Sequence, residues 1–411
     1  MSAARVLRGI GSLATCAPAG VQDDIHVIPD AALVWEGERI AWVGPEAELP
    51  DEFAALRPEY ARGQLVVPGL VDCHTHLAFG GWRAGEFGQR IRGASYLEIA
   101  RAGGGIASTM RATRAASEDE LVERARGFLR EMLALGVTTV ECKSGYGLDT
   151  ATELKLLHVY RRLAQEGPAR IVPTLLGAHT IPPEHRGDRR RYLRIVIEEM
   201  IPGAAAADLA RCCDVFVEET AFTIEEAREV LLAGKSVGLA PRLHADQLTS
   251  SGGAELAAEV GALSADHLEH VSDRGVEAMA EAGVVAVSLP IASLYLGQRP
   301  MPARRLIERG VAVAVATDFN PGSAPSYHLP MAMMLACTLQ RMTPAEALKG
   351  ATSIAARALG MEETCGSLMP GKMADFCVID APDVDTWLYH FRPNACLRTV
   401  IGGETVAPRS S

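Results

Sequence analysis

No two of the nine cysteines, at positions 16, 73, 142, 212, 213, 337, 365, 377 and 396, stand in a CxxC spacing, and their number is odd. The sequence therefore shows neither a disulfide framework nor a thiolate zinc site, and most of these thiols are expected as small apolar core residues in a reducing cytoplasm. Missing too is any apolar run near the roughly 18 residues of a spanning helix. The stretch from Arg5 and Arg8 to Ala19 has no apolar run long enough for a secretion signal. Excess positive charge is also absent: 40 Lys plus Arg face 51 Asp plus Glu, a formal net charge of -11. Such a surface repels phosphate backbones and anionic headgroups, so no nucleic-acid or membrane partner is expected, and the arginine-rich stretch 186–194 reads as a solvated helix face. Gly103, Gly104 and Gly105 are not followed by Gly-Lys-Ser/Thr, which excludes a phosphate loop. There is no internal repeat.

What is present is an enzyme-sized chain. Its 411 residues, 48% hydrophobic and 22% charged, fit a cytoplasmic globular protein of two or three domains, at roughly 100 to 200 residues per domain. Eight short β-rich apolar runs, at 65–73, 138–142, 171–176, 214–217, 239–243, 263–267, 284–289 and 311–317, alternate with helical patterns. That rhythm predicts an α/β fold, a (β/α)8 barrel rather than an open doubly wound sheet. Capping-box spacings at Ser117 with Glu120, Thr150 with Glu153 and Thr223 with Glu226 mark helix starts, and Gly136, Gly167 and Gly234 mark stops. A further helix opens at Thr343, Pro344 and Glu346 and is expected to end at Gly360. Short strand-like runs at 31–34, 39–43, 375–379 and 397–401 lie outside the rhythm. They predict a small β-sandwich-like domain assembled from both termini, residues 1–64 and 366–411, beside a barrel of 65–365.

The chemistry gathers at strand ends. Val71-Asp72-Cys73-His74-Thr75-His76 closes the first run, and a period of two places His74 and His76 on one side, facing the barrel axis. Active sites of barrels lie at the C-terminal ends of the strands, where two inward histidines make a natural metal pair. Alone, HxH is as easily two chance histidines. His244, His267 and Asp318 each stand where another run exits, and jointly they make a site for one divalent ion, zinc or iron, more economical than coincidence. Six further histidines, at 26, 158, 185, 270, 328 and 390, read as surface or packing residues.

The stretch 69–76 with the distant His244, His267 and Asp318 resembles the amidohydrolase superfamily, as does the segment from Gly366 to Asp375. More specifically, 76–83 (HLAFGGWR), 143–155 (KSGYGLDTATELK), 177–184 (GAHTIPPE), 244–259 (HADQLTSSGGAELAAE), 264–270 (SADHLEH) and 316–323 (ATDFNPGS) resemble the imidazolonepropionase family over most of the barrel. The resemblance implies hydrolytic ring opening of 4-imidazolone-5-propanoate to N-formimidoyl-L-glutamate in histidine breakdown. It implies His74, His76, His244 and Asp318 as metal ligands, and Arg83, Tyr146, His179, Gln247, Asn320, Gly322 and Ser323 as substrate contacts.

Physical reading of those residues agrees. A propionate needs a cation at the mouth of an acidic protein, and Arg83 offers a bidentate fork. Segment 320–323 is expected to offer backbone N–H groups and a hydroxyl to an anion. Asp318 is expected to carry the water proton to the departing ring nitrogen, and His267 to polarise the carbonyl without ligating. Gln247 orients the ring, since it can only donate and accept hydrogen bonds where some family members carry glutamate. The fourth run has no lysine to form a bridging carbamate, which favours one metal. The long 78–117 loop is read as a lid with Tyr96 as a substrate contact. A homodimer is the commonest assembly and is expected here. The competing readings are another cyclic amidohydrolase or an aminohydrolase (deaminase) acting on a small heterocycle, and a barrel that has lost catalysis and serves as a scaffold.

Overall fold

The computed structural model describes residues 4–93, 98 and 103–408. Its strands are β1 (Ala4–Ala14), β2 (Val27–Glu36), β3 (Arg39–Pro45), β4 (Pro58–Tyr60), β5 (Leu65–Pro68), β6 (Leu70–Asp72), β7 (Val137–Lys143), β8 (Arg170–Ala178), β9 (Cys212–Val217), β10 (Ala240–Ala245), β11 (Ser264–His267), β12 (Val285–Ser288), β13 (Val313–Val315), β14 (Phe376–Ile379), β15 (Cys396–Ile401) and β16 (Glu404–Pro408). Strands β6 to β13 pair in sequence order, all in parallel, as the eight runs predict. The ring closes just past the last strand: His76 N–H donates to the Phe319 carbonyl at 2.8 Å and Asp318 N–H to the His74 carbonyl at 3.0 Å. Closure therefore happens at the residues that carry the site.

The terminal strands form one mixed sheet in the order β16-β15-β14-β5-β1-β2-β3, with β4 beside β1. Its ends approach each other, since the Trp35 indole N–H donates to the Gly403 carbonyl at 3.2 Å. Inside this curl lies a second apolar core containing Leu7, Leu33, Trp35, Val66 and Phe376. The run expected as one strand over 65–73 is divided between the two sheets. Leu65–Pro68 pairs with β1 and β14, and Leu70–Asp72 with β7. The reason is visible in the alternation: Leu65 and Val67 face the barrel core, whereas Val66 faces the second core. Burial on both faces erases the polar alternation that would have revealed a change of sheet.

Helix ends follow local chemistry. Ser117, Thr223 and Thr343 each close a capping box with Glu120, Glu226 and Glu346. At the next helix, Thr150–Glu166, the cap is instead Asp149, which accepts from Thr152 N–H. Glu153 turns inward and accepts the backbone N–H groups of Gly145, Gly147 and Leu148. The helix Ile224–Ser236 runs past Gly234. That glycine permits close approach to β9, because a Cβ there would lie 2.8 Å from the Cys213 Cβ. The helix opened by Pro344 ends at Gly350 rather than Gly360, broken by Thr352 at φ -133°, ψ -100°. No helix among the described residues is long and apolar enough to cross a membrane.

Candidate metal centre and active site

The closing residues bring four imidazoles and a carboxylate together at the C-terminal mouth of the barrel. His74, His76, His244, His267 and Asp318 are all at most 3% exposed. The His74 ring lies 4.6 Å from that of His244 and 5.5 Å from that of His76, centre to centre. His76 Nε2 is 3.5 Å from His244 Nε2, and Asp318 Oδ1 is 3.4 Å from His74 Nε2 and 3.6 Å from His76 Nε2. Donor atoms of His74, His76 and His244 lie within 4.8 Å of one another, as do those of His74, His267 and Asp318. His74 Nε2 is buried without a hydrogen-bond partner. Such an orphan costs about 1–3 kcal/mol, and a cation among these lone pairs removes the cost. Burial holds His74 and His76 well below the usual imidazole range, in the neutral form that ligates. Burial also pushes the Asp318 carboxyl up to about 6. The residues present thus fit a metal ion.

Backbone strain concentrates here. His267, Leu268 and Asp318 sit at φ 81°, 64° and 55°, each costing on the order of 1–3 kcal/mol for a residue with a side chain. His267 Nδ1 lies 3.6 Å from Glu269 Oε1, which also accepts from Ser293 Oγ at 3.0 Å. Burial opposes protonation of His267, but the carboxylates of Glu269, Asp318 and Asp266 together outweigh it and leave this imidazole above its usual range, unlike those of His74 and His76.

Behind these histidines lies a charged layer that the sequence reading missed. His74 Nδ1 bonds Asp266 Oδ2 at 2.6 Å, and His244 Nδ1 bonds Asp214 Oδ1 at 2.9 Å. Lys143 Nζ reaches Asp214 at 2.7 Å, Glu141 at 3.0 Å and Asp266 at 3.6 Å, and Arg242 Nη2 donates to Asp266 at 2.9 Å. All five of these residues are fully buried. Burial and Arg242 push the Lys143 ammonium down, yet the three carboxylates prevail and hold it above its usual range. The available signal was charge inside otherwise apolar parallel strands: Glu141 and Lys143 in β7, Asp214 in β9, Arg242 in β10 and Asp266 in β11.

Around the rim, Tyr146 and His179 join the cluster. The His179 ring stacks on His76 at 5.1 Å and 17°, and the Tyr146 ring is 5.5 Å from His76. His179 Nδ1 bonds the Gly145 carbonyl at 2.9 Å, so that nitrogen carries the proton and Nε2 is left as an acceptor. Burial takes this imidazole down to about 3. Arg83 gives Nε to Glu86 Oε2 at 2.8 Å, and its two terminal nitrogens bond no described residue. Nη1 lies over Gly322, whose hypothetical Cβ would fall 2.0 Å from it. Beside Arg83 opens a cavity of about 320 Å³ lined by Trp82, Phe87, Tyr295, Pro321 and Pro325. The expected anion site of free N–H groups at 320–323 is corrected: Asn320 Oδ1 already accepts from Gly322 N–H at 2.8 Å and Ser323 N–H at 2.7 Å. The loop is an Asx turn that closes its own donors and leaves Arg83 as the cation beside it. Gln247 is partly exposed and bonds no described residue. The chain beside it is pinned by Glu218, which accepts from Leu248 N–H, Thr249 N–H and the Thr249 hydroxyl. Tyr96 lies outside the described residues.

Residues 65–406 match the model of the amidohydrolase family. Over 391 residues the chain is 50% identical to the imidazolonepropionase of Myxococcus xanthus (strain DK1622), covering 94% of this chain and 92% of that one. It is 48% identical to the imidazolonepropionase of Geobacillus thermodenitrificans (strain NG80-2), covering 93% and 92%. Among solved structures, E. coli guanine deaminase superposes with a TM-score of 0.74 at 16% identity, over 99% of this chain and 100% of that one. A triazine hydrolase variant gives 0.74 at 17% identity, over 98% and 95%. These two share the fold.

Proposed function

We propose that this chain, which belongs to the amidohydrolase family and within it to the imidazolonepropionases, hydrolyses 4-imidazolone-5-propanoate to N-formimidoyl-L-glutamate. Water adds at the ring carbonyl carbon, the bond from that carbon to the ring nitrogen breaks, and the nitrogen leaves with a proton as part of the formimidoyl group. The observation that carries the reading is Arg83, its guanidinium end unpartnered among the described residues, at the rim of a buried histidine and carboxylate cluster.

His74, His76, His244 and Asp318 are the residues that would hold one divalent ion, zinc or iron. Such an ion supplies an activated water at neutral pH and polarises the carbonyl. Charge balance favours a single ion. With His267 and Glu269 counted as a neutral pair, Glu141, Asp214, Asp266 and Asp318 bring four negative charges against two positive from Lys143 and Arg242, leaving minus two for a divalent ion to cancel. Barrel strand β9 carries no lysine, and Lys143, on β7, is committed as an ammonium to carboxylates.

Asp318 accepts the proton of the attacking water and delivers it to the departing ring nitrogen. His267, oriented by Glu269, donates to the carbonyl oxygen as charge builds on it. His179 presents an acceptor nitrogen to a ring N–H, Tyr146 and Gln247 orient the ring, and Arg83 holds the propionate. Asn320, Gly322 and Ser323 form the turn on which Arg83 rests. A second copy of the chain as a homodimer partner completes the expected assembly.

The test is turnover of 4-imidazolone-5-propanoate by purified protein, followed by loss of ring absorbance with a parallel ammonium assay. Ring loss without ammonium is expected. Ammonium released in step with turnover identifies an aminohydrolase instead, and an inert ring refutes the reading.

A further inference from the structure

Lys143 ends β7, and its side chain runs into the barrel interior between β9 and β11. Barrel interiors are normally filled by branched apolar side chains in layers drawn from alternate strands. Here the second, fourth and sixth barrel strands supply Lys143, Asp214 and Asp266 to one buried layer. A buried charge layer is costly unless it is fully paired, so its retention asks for a use. The geometry shows one. Each aspartate takes the Nδ1 of a different imidazole, Asp214 that of His244 and Asp266 that of His74. An N–H fixed on Nδ1 leaves the Nε2 lone pair facing the mouth. Arg242 touches only one of the two aspartates at hydrogen-bond distance, through Nη2 to Asp266. Among the described residues Lys143 is the one lysine or arginine within 4 Å of both: it hydrogen-bonds Asp214 at 2.7 Å and ion-pairs with Asp266 at 3.6 Å, a carboxylate that Arg242 at 2.9 Å and the Ser264 hydroxyl at 2.6 Å also hold.

We propose that Lys143 is the positioning residue of the metal site: its ammonium, held between Asp214 and Asp266, fixes the two carboxylates that orient His244 and His74, so that one cation sets both imidazoles for the ion. The inference rests on the proposed metal-dependent function and adds to it a residue that touches neither metal nor substrate. Lys143 acts through Asp214 and Asp266, so its effect is to be read in metal affinity and ligand tautomer, not only in turnover.

The experiment measures zinc affinity by chelator competition on wild type, Lys143→Met, Asp214→Asn and the double variant, with NMR of isotope-labelled histidine on the metal-free proteins. Removing an outer partner of a ligating histidine costs about 10- to 100-fold in metal affinity. Lys143→Met is expected to lose that much, and both His74 and His244 should show mixed tautomers. Asp214→Asn should disturb His244 alone. In the Asp214→Asn background, removing Lys143 should cost clearly less, because the carboxylate through which it mainly acts is gone. Should Lys143→Met not fold, the comparison of Asp214→Asn with the double variant decides, since neither leaves Asp214 as a lone buried charge. Wild-type affinity and tautomers in Lys143→Met, or a full independent loss in the double variant, overturn the inference. Wild-type protein that takes up no zinc or iron would instead overturn the functional reading beneath it, so the two failures are distinguishable.

Discussion

Replacing Gly322 by alanine tests how the mouth is built. The new Cβ would lie 2.0 Å from Arg83 Nη1 and 2.8 Å from Arg83 Cζ, far inside contact distance. The obstructing atoms are the free end of a flexible side chain, and the backbone at 322 is not in the left-handed region, so the fold yields by moving the guanidinium. A charge-assisted bond of an arginine to a carboxylate is worth about 1.5–3 kcal/mol, and its loss lowers kcat/KM by about one to two orders of magnitude. Gly322→Ala should therefore approach the penalty of Arg83→Ala while metal content and Tm stay near wild type. Because both act through one guanidinium, the double variant should be little worse than Arg83→Ala alone. The assay is steady-state ring opening with the acid and with its side-chain amide. The penalties should shrink sharply on the amide, which no longer offers a carboxylate. Arg83→Lys should recover part of the loss, having charge but no fork. A Gly322→Ala enzyme within about twofold of wild type, or equal penalties of Arg83→Ala on acid and amide, would refute the assignment of Arg83 to the propionate.

His74→Ala should abolish turnover with loss of metal, and Asp318→Ala should abolish it by removing ligand and base together; near-normal rates in either, measured with metal analysis, contradict the mechanism. Gln247→Glu should keep metal content and change the rate modestly, whereas a gain of several orders of magnitude would place the base at 247. Zinc uptake by metal-free protein should weaken as pH falls through about 6, because the Asp318 carboxyl, raised by burial, must then release a proton on binding, while the depressed His74 and His76 are already neutral. Calorimetry in buffers of different ionisation enthalpy reads that proton, and uptake independent of pH between 7 and 5, in units set by about one proton, excludes Asp318 as the titrating ligand.

The barrel was legible because parallel strands buried on both faces leave continuous apolar runs, and all eight were found. Legibility failed where a break was hidden in apolar surroundings: across 65–73 Pro68-Gly69 marks the passage from β5 to β6, but buried apolar residues on both sides made two sheets look like one strand. The cluster at the barrel mouth could be read because a histidine or aspartate at a strand exit breaks an apolar pattern. Asp214, Asp266, Lys143 and Arg242 broke the same pattern but inside the strands, where pairing across the barrel, rather than spacing along the chain, gives them meaning. The loop 320–323 misled for a related reason. Its sequence offers donors, and only the fold shows Asn320 taking them back.

Turnover in oxygen-labelled water is the most direct test of the central claim, hydrolysis at the ring carbonyl by a single-metal site. Protein carrying one equivalent of zinc or iron should yield N-formimidoyl-L-glutamate with a single label in the newly formed carboxylate and both substrate nitrogens retained. Label in a formyl group, or loss of a nitrogen, would place the attack at another carbon and contradict the account.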